Sequence, residues 1–221
     1  MVGKRHRDPD RTRSALLEAA AGIFSRRGYG GARIQAIADR ARVNKAMISY
    51  HFGGKAGLYE ATIAHLVDDF RPGLTELRGE DDRPVPDRLR RLVETIGRAF
   101  RSRPELGAIV LREHLAGGER LSAETMTRHV GEFFLTTRSI LEDGMIRGEL
   151  RPVDPHAFHL TLIGGLVFFL ASEPYRARAE ETGELPAPAP RFDDYLDHLV
   201  RLLLDGLRPD PGPPPKKGKT Q

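Results

Sequence analysis

Hydrogen-bond donors and cations are concentrated between residues 33 and 55. The candidate contact residues are Arg33, Gln35, Arg42, Asn44, Lys45, Met47, Ser49, Tyr50, His51 and Lys55. Hydroxyl, imidazole and ammonium groups can donate hydrogen bonds to phosphate oxygens, and lysine or asparagine can also reach the edge of a base. A catalytic loop would show a nucleophile, a pair of acids or a metal cluster, and none of these patterns occurs here. The segment therefore favours recognition of a partner over catalysis.

Two short helices are expected to position these donors. Apolar residues at helical spacing over Ile34–Ala41 predict the first helix, and Asn44 is a suitable N-cap for a second helix that ends near His51. Ile37 and Ile48 are the expected buried anchors of the pair. In a helix-turn-helix, the second helix enters the major groove of DNA with its N-terminal residues at the base edges. The pattern therefore predicts a helix-turn-helix that binds double-stranded DNA.

The outward side chains suggest individual roles. Lys45 is expected to reach a guanine edge or a phosphate, and Asn44 to pair with adenine unless its side chain is engaged as the helix cap. Ser49, Tyr50 and His51 can donate to phosphate oxygens. The second helix should therefore carry both base and phosphate contacts.

The charge distribution supports a polyanionic partner. Residues 1–55 contain 12 Lys and Arg against 4 Asp and Glu, a balance of +8, whereas the whole chain has a balance of +4. The rest of the chain therefore has a balance of −4. Lys55 stands in the first turn of the next helix, where free backbone N–H groups also attract phosphate. A solvated basic arm would give the same asymmetry, but the two helices favour nucleic acid.

Composition indicates a reducing compartment. The chain has no cysteine, which excludes disulfides and thiolate metal sites. The N-terminus MVGKRHRDPD lacks the apolar stretch of a secretory signal, and the apolar run FHLTLIGGLVFFL is too short to span a bilayer. We therefore expect a cytoplasmic protein without a membrane partner.

Helical periodicity continues along the chain, and no alternating strand pattern interrupts it. The N-terminal helix, built on Leu16 to Phe24, is expected to stop at Gly28. Further helices are expected at 58–70, 86–102, 104–115, 122–147, 155–171 and 192–207, the first of them ended by Arg71-Pro72. The fold class is therefore predicted to be all-α, with about nine helices.

The segment GYGGARIQAIADRARVNKAMISYHFGGKAGLYEA resembles the DNA-binding domain of the TetR family of transcriptional regulators, and the similarity is sharp from about Asp10 to Ile63. Its marks are Phe24, Gly28-Tyr29-Gly30, Ile34, Ile37-Ala38, Val43, Lys45, Ile48, Tyr50-His51-Phe52, Lys55 and Leu58-Tyr59. The resemblance implies a homodimer that binds a double-stranded DNA operator, and the two equal halves of such a dimer imply a palindromic operator. It also implies a C-terminal domain that binds a small molecule and releases the operator.

The resemblance implies roles within the motif as well. Tyr50 and Lys55 correspond to phosphate contacts, with Lys45, Met47 and Ser49 closest to the bases. Arg42 stands where a glycine is common, so a non-glycine residue is expected to hold a positive φ there. Ala32-Arg33 stands where threonines often open the first helix, so the usual side-chain cap is lost and Arg33 is expected to contact phosphate instead.

By this resemblance the chain divides into four parts. Residues 1–9 are expected to form a basic flexible arm and residues 10–55 the helix-turn-helix domain. Residues 56–208 are expected to form a helical effector-binding and dimerisation domain. Residues 209–221, rich in proline and lysine, are expected to be a disordered tail.

Two further sites are expected in the larger domain. A ligand pocket should be lined by Phe100, Ile109, His114, Met126, His129, Phe133 and Thr137. A dimer interface is expected on the helices 155–171 and 192–207, through Leu162, Gly164, Gly165, Phe168, Tyr195, Leu199, Leu202 and Leu203. Packing of the same two helices within one chain is the alternative, since it needs the same apolar face.

Neither a metal nor a cofactor is expected. His156 and His159 have a spacing that can bind a metal, but no third ligand lies near them in the sequence. We expect a repressor that is released from its operator by an unknown small molecule. The alternatives are a regulator of the same fold without a small-molecule effector, a helical enzyme with a DNA-binding head, and a protein-interaction module.

Overall fold

Helices are the main secondary structure in the part of the chain that the structure describes, and no strand occurs in it. The computed structural model describes residues 8–78, 82–118, 120–125, 127–128, 131–184 and 188–209. The helices are α1 (Pro9–Gly31), α2 (Ile34–Ala41), α3 (Ala46–Phe52), α4 (Lys55–Asp68), α5 (Arg71–Arg78), α6 (Val85–Ser102), α7 (Pro104–Leu115), α8 (Ala123–Thr125), α9 (Gly131–Ile146), α10 (Pro155–Ala171), α11 (Glu173–Glu181) and α12 (Phe192–Leu207). The predicted all-α class is confirmed. Residues 1–7 of the expected arm and 210–221 of the expected tail lie outside the described residues.

Prolines account for two helices that periodicity did not predict. Helix α4 ends before Arg71-Pro72 as expected, but Pro72 also occupies the first turn of α5, and Pro174 occupies the first turn of α11. Proline is tolerated there because the N–H that it lacks would have no partner within the helix. The single helix expected over 122–147 is replaced by α8 and α9, with residues 126, 129 and 130 outside the described part.

The first four helices share a core that contains Phe24, Ile37, Ile48 and Tyr59, each at most 1% exposed. The rings of Phe24 and Tyr59 meet edge to face, with centroids 4.7 Å apart. Gly28 has a φ of 64° and interrupts α1, as predicted. Helices as short as α2 and α3 are marginal in isolation, so this shared core is what stabilises them.

The turn between α2 and α3 is left-handed at Arg42, which has a φ of 56° and a ψ of 41°. The N–H of Arg42 donates to the Asp39 carbonyl at 3.1 Å, and that of Val43 donates to the Ala38 carbonyl at 3.0 Å. A non-glycine residue in this conformation costs about 1–2 kcal/mol. The predicted positive φ at Arg42 is confirmed.

Helix α6 lies at the centre of the larger bundle. Its buried side carries Leu89, Leu92 and Ile96, and it packs against α9, α10 and α12. Gly97 permits the approach of α12, since a Cβ at this position would lie 2.8 Å from Leu196 Cδ1. Helix α7 packs on this bundle and also on α1 and α4. It therefore joins the larger bundle to the helix-turn-helix.

None of the helices in the described ranges is by itself long and apolar enough to cross a membrane. Helices α10 and α11 reach that length and composition only as a pair, and they are bent by 45° relative to each other. Within the protein, α10 buries Phe158, Leu162 and Leu166.

Candidate nucleic-acid interface

Helix α3 buries one side and presents the other to solvent. Ile48 is fully buried, whereas Lys45, Ser49 and Tyr50 are exposed, Tyr50 at 77%. The Tyr50 hydroxyl makes no hydrogen bond to another described residue and can therefore serve an external acceptor such as a phosphate oxygen. Ile48 is therefore buried and the other three side chains face outward, as predicted, while their contact with DNA stays a prediction.

Asn44 is engaged as the cap of α3. Its Oδ1 accepts a hydrogen bond from the Ala46 N–H at 2.9 Å. Bidentate pairing of asparagine with adenine needs that oxygen. Asn44 therefore cannot pair with adenine in this conformation. Met47 is half-buried and packs against the core, which leaves only part of its side chain for a base contact.

Helix α2 carries exposed arginines at both ends. Arg33 precedes it in an extended conformation and provides no side-chain cap, as predicted. Arg42 follows it and is also exposed. Between them, Gln35 Nε2 donates to Asp39 Oδ1 at 2.7 Å, so a DNA contact by Gln35 would have to compete with this bond.

His51 faces inward rather than outward. Its half-buried ring packs against Tyr50 and Phe52, with centroid distances of 4.9 and 6.0 Å. Its Nε2 atom is enclosed and has no hydrogen-bond partner among the described residues. Nε2 of His51 therefore cannot reach a phosphate in this structure, and the predicted contact is wrong for that atom. Residue 51 follows Ile48 by three positions and so lies on the same side of the helix.

Lys55 opens α4 and is held by an aromatic side chain. Its Nζ lies 4.6 Å from the centroid of the Tyr29 ring, and Tyr29 packs edge to face against Tyr59 at 5.1 Å. Burial and the neighbouring Arg120 lower the pKa of Lys55. A cation–π contact of this kind contributes about 0.5–1 kcal/mol at an exposed site. It keeps the ammonium near the N-terminus of α4, where a phosphate would be favoured.

Gly57 was not singled out from the sequence, although it sets the joint between α3 and α4. A Cβ at this position would lie 2.0 Å from the carbonyl oxygen of Phe52. Only glycine permits this approach of the two backbones. The available signal is a glycine inside a helix, where it is unfavourable by about 1 kcal/mol and so suggests a packing requirement.

A cavity of about 240 Å³ lies between α4, α7 and the segment after α7. Its lining residues are Ile63, Ile109, Val110, Glu113, His114, Gly117, Gly118 and Leu121. Of the expected pocket residues that the structure describes, Ile109 and His114 are among them. Glu113 is the charged lining residue that sequence reasoning missed, because a single glutamate in an amphipathic helix resembles a surface residue.

Three other expected pocket residues are not among the lining residues of this cavity. Phe100 and Phe133 are buried in the core with stacked rings 6.1 Å apart. Thr137 is also buried, and its hydroxyl donates to the Phe133 carbonyl at 2.8 Å. These three residues belong to the core, and their place in an effector pocket stays a prediction. Met126 and His129 lie outside the described residues.

His156 and His159 contact the same ring, that of Phe134, with ring centroids 4.9 and 5.5 Å apart. The Nδ1 of His159 lies 3.2 Å from Thr137 Oγ1. Burial, with smaller effects of His156 and His114, lowers the pKa of His159 to about 4. Within the described part of the chain, no three metal-binding side chains are placed to hold an ion.

Helices α10 and α12 pack against each other within one chain. A Cβ at Gly165 would lie 2.8 Å from the Tyr195 hydroxyl and 3.8 Å from Leu199. The ring of Phe169 stacks on that of Tyr195 at 4.0 Å. Gly165 therefore serves this internal packing, and its expected place in a dimer interface is corrected.

The remaining expected interface residues fall into two groups. Leu162, Leu199 and Leu203 are covered by their own chain at 0%, 5% and 9% exposure, so they are also corrected. Gly164, Phe168 and Leu202 are exposed, and Tyr195 is half-buried. Helix α10 is apolar on all sides, so its sequence could not distinguish the side facing the core from the exposed side.

The sequence matches two family descriptions. Residues 16–62 match the bacterial regulatory proteins of the tetR family, and residues 86–182 match the tetracyclin repressor-like C-terminal domain. The first match contains α2 and α3 with their exposed donors. The second contains α7 and α10.

Full-length relatives show the same relationship. The HTH-type transcriptional repressor NicS of Pseudomonas putida is 31% identical over 210 residues, which cover 94% of this chain and 97% of that protein. The HTH-type transcriptional regulator RutR of Escherichia coli is 27% identical over 213 residues, which cover 94% and 96%. The Bacillus subtilis transcriptional regulator FadR, crystallised with stearoyl-CoA, has the same fold, with a TM-score of 0.66 at 15% identity over 87% and 98% of the two chains.

NicS and RutR are transcriptional regulators by name, not enzymes. The similarity extends over nearly the whole length of both. The chain therefore belongs to the TetR family of bacterial regulatory proteins and is a DNA-binding transcriptional regulator.

Proposed function

We propose that the protein is a repressor that binds a palindromic operator as a homodimer and releases it when a small molecule binds. The observation that carries this proposal is helix α3, which exposes Lys45, Ser49 and Tyr50 around the buried Ile48. Members of the family bind DNA as dimers and bind small-molecule effectors, and FadR was crystallised with stearoyl-CoA. We place the protein in the cytoplasm with the chromosome and assign no catalytic reaction to it.

The proposed DNA contacts divide by chemistry. Tyr50 and Lys55 would contact phosphates and fix the register of the protein on the duplex, while Lys45 and Ser49 would approach the bases. Arg33 stands at the start of α2 and would add a phosphate contact. We assign residues 10–55 to DNA binding and residues 56–208 to effector binding and dimerisation.

The proposed dimer interface is the exposed side of α10 with the adjacent side of α12. Leu160, Gly164 and Phe168 are spaced by four residues and so share one side of α10. Leu160 is 54% exposed, Phe168 is 74% exposed, and Gly164 has no neighbour that a Cβ would meet within 4 Å. Helix α12 adds Leu202, at 59% exposure. A twofold axis would place this surface against its own copy.

Lys45→Ala should change the preferred operator sequence, whereas Tyr50→Phe should weaken binding by a similar factor on every sequence. A bidentate lysine contact to a base discriminates by about 1–3 kcal/mol, but a phosphate carries no base identity. Selection from a randomised DNA pool at fixed salt, with the wild type and both variants, measures this difference. Arg138→Ala, which removes an exposed charge from α9, is the control.

The base contact of Lys45 and operator binding by the protein can be contradicted separately in this experiment. An unchanged sequence preference in Lys45→Ala would assign that lysine to a phosphate. A wild-type protein that selects no sequence from the pool would contradict operator binding itself.

Operator affinity should fall steeply with salt. If a dimer contacts about six to ten phosphates, the plot of log K against log salt concentration should have a slope of about −5 to −9, because each contact releases condensed counterions. Fluorescence anisotropy of labelled operator DNA at several salt concentrations measures the slope. A slope near zero would contradict the proposed phosphate contacts.

A further inference from the structure

Glu113 is a buried carboxylate on the wall of the cavity between α4 and α7. It is 5% exposed. Its Oε1 accepts a hydrogen bond from the Tyr59 hydroxyl at 2.6 Å. Burial and this hydrogen bond raise the pKa of Tyr59 above its usual value, so Tyr59 is the donor of the pair. Glu113 therefore acts as an acceptor inside the protein.

The second oxygen of Glu113 has no such partner. Its Oε2 atom is enclosed and makes no hydrogen bond to another described residue. A buried carboxylate oxygen left without a donor costs more than a neutral polar group would. Two neighbouring arginines are engaged elsewhere. Arg112 donates to the carbonyls of Ser25 and Arg26 at 2.9 and 3.0 Å, and Arg120 lies over the ring of Tyr29 at 5.9 Å.

The rest of the cavity wall is mainly apolar, with Ile63, Ile109, Val110 and Leu121 among its residues. The cavity measures about 240 Å³. A cavity of about 150 Å³ lined by apolar side chains is already large enough for benzene. The space here therefore suits one ring, or an aliphatic body of similar size, with a polar substituent.

We propose that this cavity binds a small organic cation that carries N–H donors, such as an ammonium or amidinium group on an apolar body, with Glu113 Oε2 as the acceptor. The apolar body would pack against the isoleucine and valine side chains, and the cation would pair with the carboxylate. A charge-assisted hydrogen bond in a site of low polarity is stronger than a neutral one. An anion of the same shape would instead face the buried carboxylate and be rejected.

The site is connected to the DNA-binding domain through Tyr59. Tyr59 bonds to Glu113 and packs against both Phe24 and Tyr29, and Tyr29 holds Lys55. On the same helix as Glu113, Arg112 binds the carbonyls at the end of α1. A ligand on Glu113 would therefore act on α4 and α1 together. The expected effect on operator binding rests on the proposed function, whereas binding of the ligand in this cavity does not.

Benzamidine and benzoate are the probes that test the site, because they share a ring and differ in charge and in N–H donors. Calorimetric titration of the full chain without DNA should show benzamidine binding about 10- to 100-fold more tightly than benzoate, the range expected for a hydrogen bond to a charged group. Glu113→Gln should lose most of this preference, since its amide can still accept from Tyr59 but no longer carries a charge. Glu105→Gln, on the same helix but outside the cavity lining, is the matched control and should keep it.

Circular dichroism checks that the Glu113→Gln protein is folded. If it is not, Val110→Phe provides a second test, because it fills the cavity and should weaken benzamidine binding while Glu113 remains. Equal binding of the two probes, tighter binding of benzoate, or binding of neither would overturn the proposed site. Full preference for benzamidine in a folded Glu113→Gln protein would overturn the role of the carboxylate.

Operator binding separates this inference from the proposed function. Benzamidine should weaken operator binding by the wild type and not by Glu113→Gln. If benzamidine binds as expected but leaves operator affinity unchanged, the site stands and the effector response through it is wrong. If the protein selects no operator, the proposed function fails while the calorimetric result still decides the site.

Discussion

A Phe168→Glu protein should be monomeric and should lose operator affinity by about 100-fold or more. Phe168 is 74% exposed on the side of α10 proposed to meet a second subunit. A glutamate there would be buried in the dimer without a partner. The two α3 helices of a dimer reach successive major grooves only when held about 34–36 Å apart. A monomer presents one α3 helix and loses the gain from binding both half-sites, which is about 100-fold or more.

Sedimentation equilibrium and operator titration measure the two effects together. Circular dichroism should show unchanged helicity, because the side chain of Phe168 makes little contact with its own subunit. Ile146→Glu is the matched control. Ile146 is 85% exposed at the end of α9, outside the proposed interface, and its replacement should leave both dimer and affinity intact. A Phe168→Glu protein that remains dimeric and binds normally would place the interface elsewhere.

The same change at Gly165 would be harder to interpret. A side chain there would meet the Tyr195 hydroxyl and Leu199 of its own chain. Loss of the dimer could then result from disturbed packing of α12 on α10. A change at Phe168 tests dimer formation without disturbing the fold of the subunit, whereas a change at Gly165 would affect both.

A Gly57→Ala protein should be destabilised by about 2–3 kcal/mol, the upper range for overpacking, and should bind its operator at least about tenfold more weakly. The added Cβ would lie 2.0 Å from the Phe52 carbonyl oxygen, which is backbone and cannot move alone. Helix α3 must therefore shift relative to α4. Lys45 and Tyr50 on α3 would move relative to Lys55 on α4, so their contacts could not form together. Urea denaturation measures the free energy of unfolding, and anisotropy measures the affinity.

Gly30→Ala is the matched control for this change. Gly30 also lies in a helical turn of the DNA-binding unit, but a Cβ there would meet nothing within 4 Å. Its replacement should be neutral or stabilise the protein by up to about 1 kcal/mol, through helix propensity alone. Equal stability of the two alanine variants would contradict the close approach of α3 and α4.

Local patterns in the sequence predicted the helix-turn-helix because its determinants lie within a few residues of one another. The spacing of Ile37 and Ile48 identified the buried anchors, and both are fully buried. The family resemblance implied a positive φ at Arg42, where a glycine is common, and the residue has one. The two added helices, α5 and α11, show the limit of such patterns. A proline can end one helix and open the next, and only the structure shows that both occur.

The sequence by itself determined the all-α class, the position of the helix-turn-helix, and its likeness to a family of regulators. Tertiary structure decided which side of each helix is used, because that depends on what packs against it. It turned His51 inward, placed Gly165 against α12, and left Phe168 exposed. It also brought Tyr59 and Glu113, 54 residues apart in the chain, within hydrogen-bonding distance at the wall of a cavity. No periodicity encodes such a pairing, because it arises from the packing of α7 against α4 and not from the sequence near either residue.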